Sequence, residues 1–336
     1  MTKLQKVLGI GFLLMAFVAV TSLGGIAEAK TVIKIAHCGP DSIKSQWHQY
    51  AVKLKELAAE YSNNEIEIRE FPAGQLGSEQ TLIQKARIED GFIGGGAINN
   101  LAPFAPSAGV FTLPYIFTSS GEALKLINGP FLDIVNERVV KEAGVRILPC
   151  LATSFRLITN SKKPVCSLED LKGLKIRVPK NPLMVAAFQS WGINPHPLAW
   201  SEVFTALQQK VVDGQENPYI SINSQKLYEV QKYVTEISYF FWIGTFVISE
   251  RYYQKMAPDQ RKVLNKAAMG AAKYEQQWAI DYTAKAKAAV IKEGMVVCKP
   301  DDEEQWKEKA RSTWPSFYDK VGGKDLVDLA LEYLKK

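Results

Sequence analysis

One continuous helical pattern dominates the C-terminal part of the sequence. It begins at Pro258, a residue suited to the first turn of a helix, and runs to Gly294. About 37 residues at about 1.5 Å each give a helix of about 55 Å, which is longer than a domain of about 100–150 residues is wide. We therefore expect this helix to bridge two lobes or to lie along their backs. The alternative is two shorter helices broken at Gly270.

Upstream of this helix, strand patterns alternate with helical patterns. A helix with an apolar face is predicted after the first strand, and Ser78 and Asn181 are predicted N-caps of two more helices. A new series of strands begins near Ser154, after a segment rich in glycine and proline at 91–106. This rhythm favours two α/β lobes with mostly parallel sheets. The strands are predicted at 31–37, 65–71, 92–98, 145–151 and 154–160.

The first 29 residues have the pattern of a secretory signal peptide. Lys3 and Lys6 precede an apolar run at 7–20, and small residues at 27–29 form a cleavage site. We expect cleavage after Ala29 and a mature chain of 307 residues (336 minus 29) in the periplasm. The alternative is an uncleaved N-terminal anchor.

Composition and motifs exclude several functions. The formal charge of +6 is spread along the chain, so a nucleic-acid partner is not expected. The sequence contains no Gly-x-Ser-x-Gly, P-loop, His-Glu-x-x-His or Rossmann glycine motif, so neither catalysis nor a cofactor is indicated. Of its four cysteines, Cys150 and Cys166 flank a possible hairpin and are the predicted disulfide pair; the alternative is buried free thiols.

Three residues are suited to holding an anion. The strand predicted at 174–178 places Arg177 on a face that an α/β lobe normally covers, and a buried guanidinium needs an anionic partner. Arg156 projects from the strand predicted at 154–160, where the alternative to ligand binding is a structural ion pair. Asn217 lies between an Asp-Gly turn and Pro218, so its backbone is held extended; the alternative role is a helix cap.

Five motifs in a fixed order identify a family resemblance. They are FPAGQLGSE at 71–79, VFTLPYIF at 110–117, SFRLITNSKKP at 154–164, LEDLKGLKIRVP at 168–179 and PLAWSEVFTALQQKVVDGQENP at 197–218. Together they resemble the DctP-like periplasmic solute-binding subunits of tripartite ATP-independent periplasmic (TRAP) transporters, across essentially all of the mature chain.

The resemblance implies both a fold and ligand contacts. Two α/β lobes enclose the ligand and are joined by crossing strands and one long helix. Lobe I is expected at 30–153 plus about 243–282, and lobe II at 154–242 plus about 283–336. By this resemblance Arg177 binds the ligand carboxylate, Arg156 assists, Asn217 orients the ligand and Trp200 closes over it.

Four further positions are candidate ligand contacts. Phe92 stands where relatives often have an aspartate, and with Trp200 it would favour an apolar or aromatic ligand body. Lys180 follows the KIRVP motif and would either meet a second anionic group or be solvated. His37 ends the first predicted strand, at the edge where α/β sheets bind ligands, and Glu79 ends the first motif.

The sequence therefore predicts a monomeric periplasmic protein that captures a small organic acid by hinge closure and delivers it to a TRAP permease. The alternative is a periplasmic sensor protein that docks on a receptor kinase, because the ligand chemistry would be the same. An enzyme is a third and weaker interpretation.

Overall fold

The computed structural model describes residues 30–335. The predicted signal peptide at 1–29 lies outside the described residues. Twelve strands are present in the described part: β1 Thr31–Ala36, β2 Ile66–Phe71, β3 Phe92–Ala97, β4 Val145–Ile147, β5 Leu151–Phe155, β6 Leu157–Asn160, β7 Arg177–Val178, β8 His196–Pro197, β9 Gly214–Asn217, β10 Tyr233–Thr235, β11 Phe241–Ser249 and β12 Val296–Cys298.

The helices fall between these strands, and Ser78 and Asn181 cap two of them as predicted, each accepting a backbone N–H bond. Among residues 30–335, no helix combines the length and apolarity needed to span a bilayer. The helices are α1 Gln46–Tyr61, α2 Glu79–Ile88, α3 Ile98–Leu101, α4 Ser120–Ile127, α5 Pro130–Ala143, α6 Pro182–Ser190, α7 Val203–Gln208, α8 Tyr219–Ser224, α9 Glu250–Lys255, α10 Pro258–Lys292, α11 Glu303–Arg311 and α12 Lys324–Lys335.

Two sheets form the centres of two lobes. In the first sheet the order is β2-β1-β3-β11-β4, with β5 also paired to β11. Strands β1, β2 and β3 are parallel, whereas β11 runs antiparallel to its neighbours. The second sheet has the order β12-β10-β6-β9, and only its β10–β12 pair is parallel. A third sheet has two strands, β7 and β8, which are parallel. The prediction of mostly parallel sheets is therefore correct for β1, β2 and β3 of lobe I and for this short pair, but not for the β12-β10-β6-β9 sheet.

The long helix is continuous, as predicted, and joins the lobes. Helix α10 has 35 residues and spans about 52 Å at about 1.5 Å per residue. Its first half packs Leu264 and a series of alanines into the core of lobe I, and its second half packs Ala286 and Val290 into the core of lobe II. Gly270 does not break the helix; a Cβ there would lie 2.5 Å from Leu57 Cδ1, so glycine allows α1 to approach closely.

The chain crosses between the lobes beside the cleft. Strand β5 belongs to the first sheet and β6 to the second, and Arg156 is the residue between them. The backbone N–H of Arg156 donates to the carbonyl of Phe240, on the return segment that leads into β11. Two crossing segments therefore pair with each other, and α10 makes the third connection.

The C-terminal end departs from the predicted division of the lobes. The expected lobe II includes residues from about 283 to 336, but Trp314, Phe317 and the apolar face of α12 pack in the same core cluster as α4 and α5 of lobe I. The indole N–H of Trp314 also donates to the carbonyl of Pro114 at 3.0 Å. Burial of this apolar face returns the end of the chain to lobe I.

The predicted disulfide is wrong. Cys166 is bonded to Cys298, with their Cα atoms 5.5 Å apart, whereas Cys150 and Cys38 are buried free thiols. The hairpin expected between Cys150 and Cys166 does not form, because β5 and β6 continue from one sheet into the other and do not pair. Cys150 thus lies in the core of lobe I, and the observed bond fastens β12 to lobe II.

Candidate functional site

A cleft lies between the lobes, at the carboxyl ends of β1 and β3. Lobe I contributes the starts of α1 and α2 and the residues that follow β3. Lobe II contributes β7, the end of β9 and the turn at Trp200. The side chains that matter most for its chemistry are Gln46, Glu79, Asn99, Arg156, Arg177 and Asn217.

Arg177 is a buried cation without a carboxylate partner among residues 30–335. It is 2% exposed, whereas Lys175, two residues earlier on the same face of the predicted strand, is exposed, so this face is covered at Arg177 and not along its whole length. Its Nε and Nη2 atoms donate to the carbonyl of Leu198 at 3.0 and 2.5 Å, and no ion pair joins it to a carboxylate within the described chain. The pKa of Arg177 is lowered to about 10, chiefly by burial; Glu216 opposes this shift and the neighbouring charge of Arg156 adds to it. The group remains charged at neutral pH and lines the cleft.

Arg156 is paired within the protein. Its Nε and Nη2 atoms donate to the carboxylate of Glu216, with Nη2 to Oε1 at 2.6 Å, and Tyr239 donates to the same carboxylate at 2.5 Å. Burial lowers the pKa of Arg156, but Glu216 outweighs it and raises the pKa above its ordinary value. The alternative of an ion pair is therefore what the structure shows. Arg156 also lines the cleft, and Nη1 is the group left for a ligand.

Asn217 ends β9 with its side chain in the cleft wall. Its amide donates to Gln215 Oε1 at 2.7 Å. The predicted alternative of a helix cap does not apply, because Pro218 occupies the N-cap position of α8. Trp200 also lines the cleft, and the guanidinium of Arg177 lies 5.9 Å from its ring centre.

Three predicted residues lie outside the cleft lining. Phe92 is at the amino end of β3, buried in the core of lobe I on the side away from the cleft, so it cannot shape the ligand body there. Lys180 is exposed, in agreement with the solvated alternative. His37 is buried behind Trp47, whose ring stacks on it, and its Nε2 is 2.9 Å from the carboxylate of Glu70.

Glu79 lies in the cleft, at the first residue of α2. Its carboxylate accepts hydrogen bonds from Asn100 and from the backbone N–H of Ala97. Burial raises the pKa of Glu79, although these bonds and the two arginines favour its charged form. Glu79 is therefore the one carboxylate that the cleft presents to a ligand among the described residues.

Two amides in the cleft were not predicted. Gln46 begins α1 and donates through Nε2 to Ser221 Oγ of lobe II at 3.0 Å. Asn99 follows β3 and is 1% exposed, and neither polar atom of its side chain has a hydrogen-bond partner among the described residues. Ligands bind at the carboxyl ends of strands in α/β sheets, which is why His37 is a candidate after the first strand; the same reasoning indicates Asn99 after the third strand. Within residues 30–335, no cluster of His, Cys, Asp and Glu is arranged to hold a metal ion.

Comparisons with known proteins agree with this architecture. Residues 37–321 match the family described as bacterial extracellular solute-binding protein, family 7 (DctP). A TRAP periplasmic solute-binding protein of Rhodobacter sphaeroides, in an open form without ligand, is 42% identical, covers 90% of this chain and 98% of that chain, and has a TM-score of 0.75.

Two ligand-bound structures superpose more closely. The sugar acid binding protein DctPAm of Advenella mimigardefordensis, in complex with galactonate, is 27% identical over 90% of this chain and 97% of that chain, with a TM-score of 0.85. A TRAP periplasmic solute-binding protein of Shewanella oneidensis, with bound succinate, is 25% identical over 91% of this chain and 100% of that chain, with a TM-score of 0.84. The chain belongs to bacterial extracellular solute-binding protein family 7 and is a solute-binding protein of the TRAP type.

Proposed function

We propose that this protein captures a small organic acid anion in the periplasm, closes around it and delivers it to a TRAP membrane permease. The observation that carries the proposal is Arg177, a charged guanidinium that is buried in an interlobe cleft and has no carboxylate partner in the part of the chain that the structure describes. Burying an unpaired charge is costly unless an anion meets it. A ligand carboxylate would meet it with two charge-assisted hydrogen bonds, in place of the Leu198 carbonyl.

Closure of the lobes is supported by contacts that cross the cleft. Gln46 of lobe I bonds Ser221 of lobe II, and the side chain of Asn181 donates to the carbonyl of Asn99 at 2.9 Å. The TM-scores with the two ligand-bound relatives, 0.85 and 0.84, exceed the 0.75 with the open relative despite its higher identity. Both observations fit a closed arrangement that a bridging ligand would stabilise.

Export and assembly are part of the same proposal. A signal peptide at 1–29 would direct the chain to the periplasm, and the mature monomer would begin at Lys30. Mass spectrometry of the periplasmic fraction tests the cleavage site, and light scattering tests the monomer. A mass that includes the first 29 residues would contradict cleavage after Ala29.

Arg177→Met tests the ligand role directly, because methionine keeps much of the side-chain volume and removes the charge. We expect the unliganded variant to melt at the same temperature as the wild type or higher, since a buried charge without an ionic partner is gone. Loss of two charge-assisted bonds of about 1.5–3 kcal/mol each should weaken binding of the acid by about 100-fold or more.

The measurement is calorimetry on the acid that gives the largest thermal shift in a panel of carboxylic acids. Arg69→Met is the matched control, because Arg69 is exposed and paired only with Glu67 on the surface. A dissociation constant within threefold of the wild type in Arg177→Met would refute the role of Arg177. A variant that fails to fold, while the control folds, would instead show that the arginine is structural.

A further inference from the structure

The hydrogen-bonding groups of the cleft favour an acid that carries hydrogen-bond donors as well as a carboxylate. Asn99 is almost fully buried, and neither its Oδ1 nor its Nδ2 has a hydrogen-bond partner among residues 30–335. Gln46 Oε1 is likewise buried without a partner in the described chain. The two oxygens are acceptors, so a bound ligand satisfies them only if it carries hydrogen-bond donors. A carboxylate has none, whereas each hydroxyl group both donates and accepts.

The charges of the site point the same way. The guanidinium groups of Arg156 and Arg177 face the carboxylates of Glu216 and Glu79, and Glu216 is already committed to Arg156. Within the described chain, Arg177 is thus the single cation of the cleft lining whose charge no protein carboxylate neutralises, although Arg156 can still donate through Nη1. A second carboxylate on the ligand would meet Glu79 and no further cation without a carboxylate partner, because Lys180 lies outside the cleft.

We infer that the cleft is specific for a hydroxylated monocarboxylic acid, such as an aldonate, and that Asn99 and Glu79 are its specificity-determining residues. Asn99 forms hydrogen bonds with ligand hydroxyl groups. Glu79 accepts a hydrogen bond from a ligand hydroxyl, and its negative charge disfavours a second carboxylate. This inference rests on the proposed capture of an organic acid. The relatives do not decide the matter, because one of those described above is bound to galactonate and another to succinate.

Calorimetry with three probe acids separates the effects of the carboxylate, the hydroxyl groups and a second carboxylate on the binding free energy. Galactonate has one carboxylate and hydroxyl groups, hexanoate has one carboxylate and no hydroxyl, and succinate has two carboxylates. We expect galactonate to bind at least 100-fold more tightly than either of the others, because a site built to bond hydroxyl groups is left with unpaired buried atoms by ligands that lack them. Equal or tighter binding of succinate would overturn the inference.

Two variants assign the effect to residues. Asn99→Leu, which removes the amide at similar volume, should weaken galactonate at least 10-fold and leave hexanoate unchanged or tighter. Glu79→Gln should improve succinate at least 10-fold and leave hexanoate within threefold. Gln189→Leu, at an exposed amide on α6, is the control and should change none of the three constants. An equal loss for galactonate and hexanoate in Asn99→Leu would show a packing role and overturn the assignment.

The same data keep this inference separate from the proposed function. If no acid binds the wild type, the capture of organic acids itself fails. If hexanoate binds as tightly as galactonate and both depend on Arg177, acid capture stands and only the hydroxyl specificity is refuted.

Discussion

Replacing Glu216 with glutamine would test whether its buried carboxylate is needed to neutralise Arg156. The side chain of Glu216 is 0% exposed and that of Arg156 is 3% exposed, so solvent screens their interaction little. The carboxylate receives two bonds from the guanidinium and one from Tyr239. Glutamine keeps the size and one acceptor, but it removes the charge and turns an N–H₂ group toward donors.

The expected cost is about 3–5 kcal/mol of unfolding free energy, the range found when one partner of a buried pair is removed. That is a large fraction of the total stability of about 5–15 kcal/mol of a typical protein. Urea denaturation at pH 7, followed by circular dichroism, would measure it. The double variant Glu216→Gln with Arg156→Met should recover much of the loss, because no unpaired charge then remains buried.

Asp328→Asn provides the control, because Asp328 pairs with Lys324 on the exposed face of α12. Solvent and salt screen a surface pair of this kind, so the control should be nearly neutral. The reasoning would be refuted if Glu216→Gln cost less than about 1 kcal/mol, or if the double variant were no more stable than the single one.

Two further predictions concern the stability of the fold. Changing both Cys166 and Cys298 to serine should lower the unfolding free energy by about 2–5 kcal/mol, because the bond closes a loop across 132 residues. Reductant should have the same effect on the wild type, and an unchanged urea midpoint would contradict it. Burial raises the pKa of Glu275 in α10 well above the ordinary carboxyl range. The folded protein therefore keeps the Glu275 carboxyl protonated at pH values where the unfolded chain has lost the proton. The unfolding free energy falls as the pH rises from the ordinary carboxyl pKa toward the raised pKa of the folded state. Glu275→Gln should raise the melting temperature more at pH 8 than at pH 5; equal shifts would contradict the assignment.

Much of the framework was predictable because it is encoded locally. The N-caps at Ser78 and Asn181 and the unbroken helix from Pro258 follow from short-range capping and periodicity. The strand at Arg177 was predictable from its local apolar pattern, although it is shorter than the 174–178 expected, and the exposed Lys175 on the same face shows that alternation alone does not fix the burial of Arg177. In each case the pattern and the structure it predicts involve the same short segment.

The errors concern pairing between distant segments. The Cys166 bond, the return of α12 to lobe I and the placement of Phe92 away from the cleft each depend on which surfaces meet in three dimensions. The residue pattern of a strand does not show which sheet the strand belongs to. The strands β5 and β6 are therefore compatible with a hairpin by sequence, although they lie in different sheets and the chain crosses between the lobes there. Strand order is set by the packing of the whole chain.

A two-lobed α/β protein with one bridging helix and an arginine suited to a carboxylate can be predicted from the amino-acid sequence. The folded chain is needed to see that Glu216 neutralises Arg156 but not Arg177, and that Gln46 and Asn99 face the same cleft. This is because hydrogen bonds and ion pairs depend on which groups are neighbours in three dimensions. Residues 60 positions apart along the chain, such as Arg156 and Glu216, form one such pair.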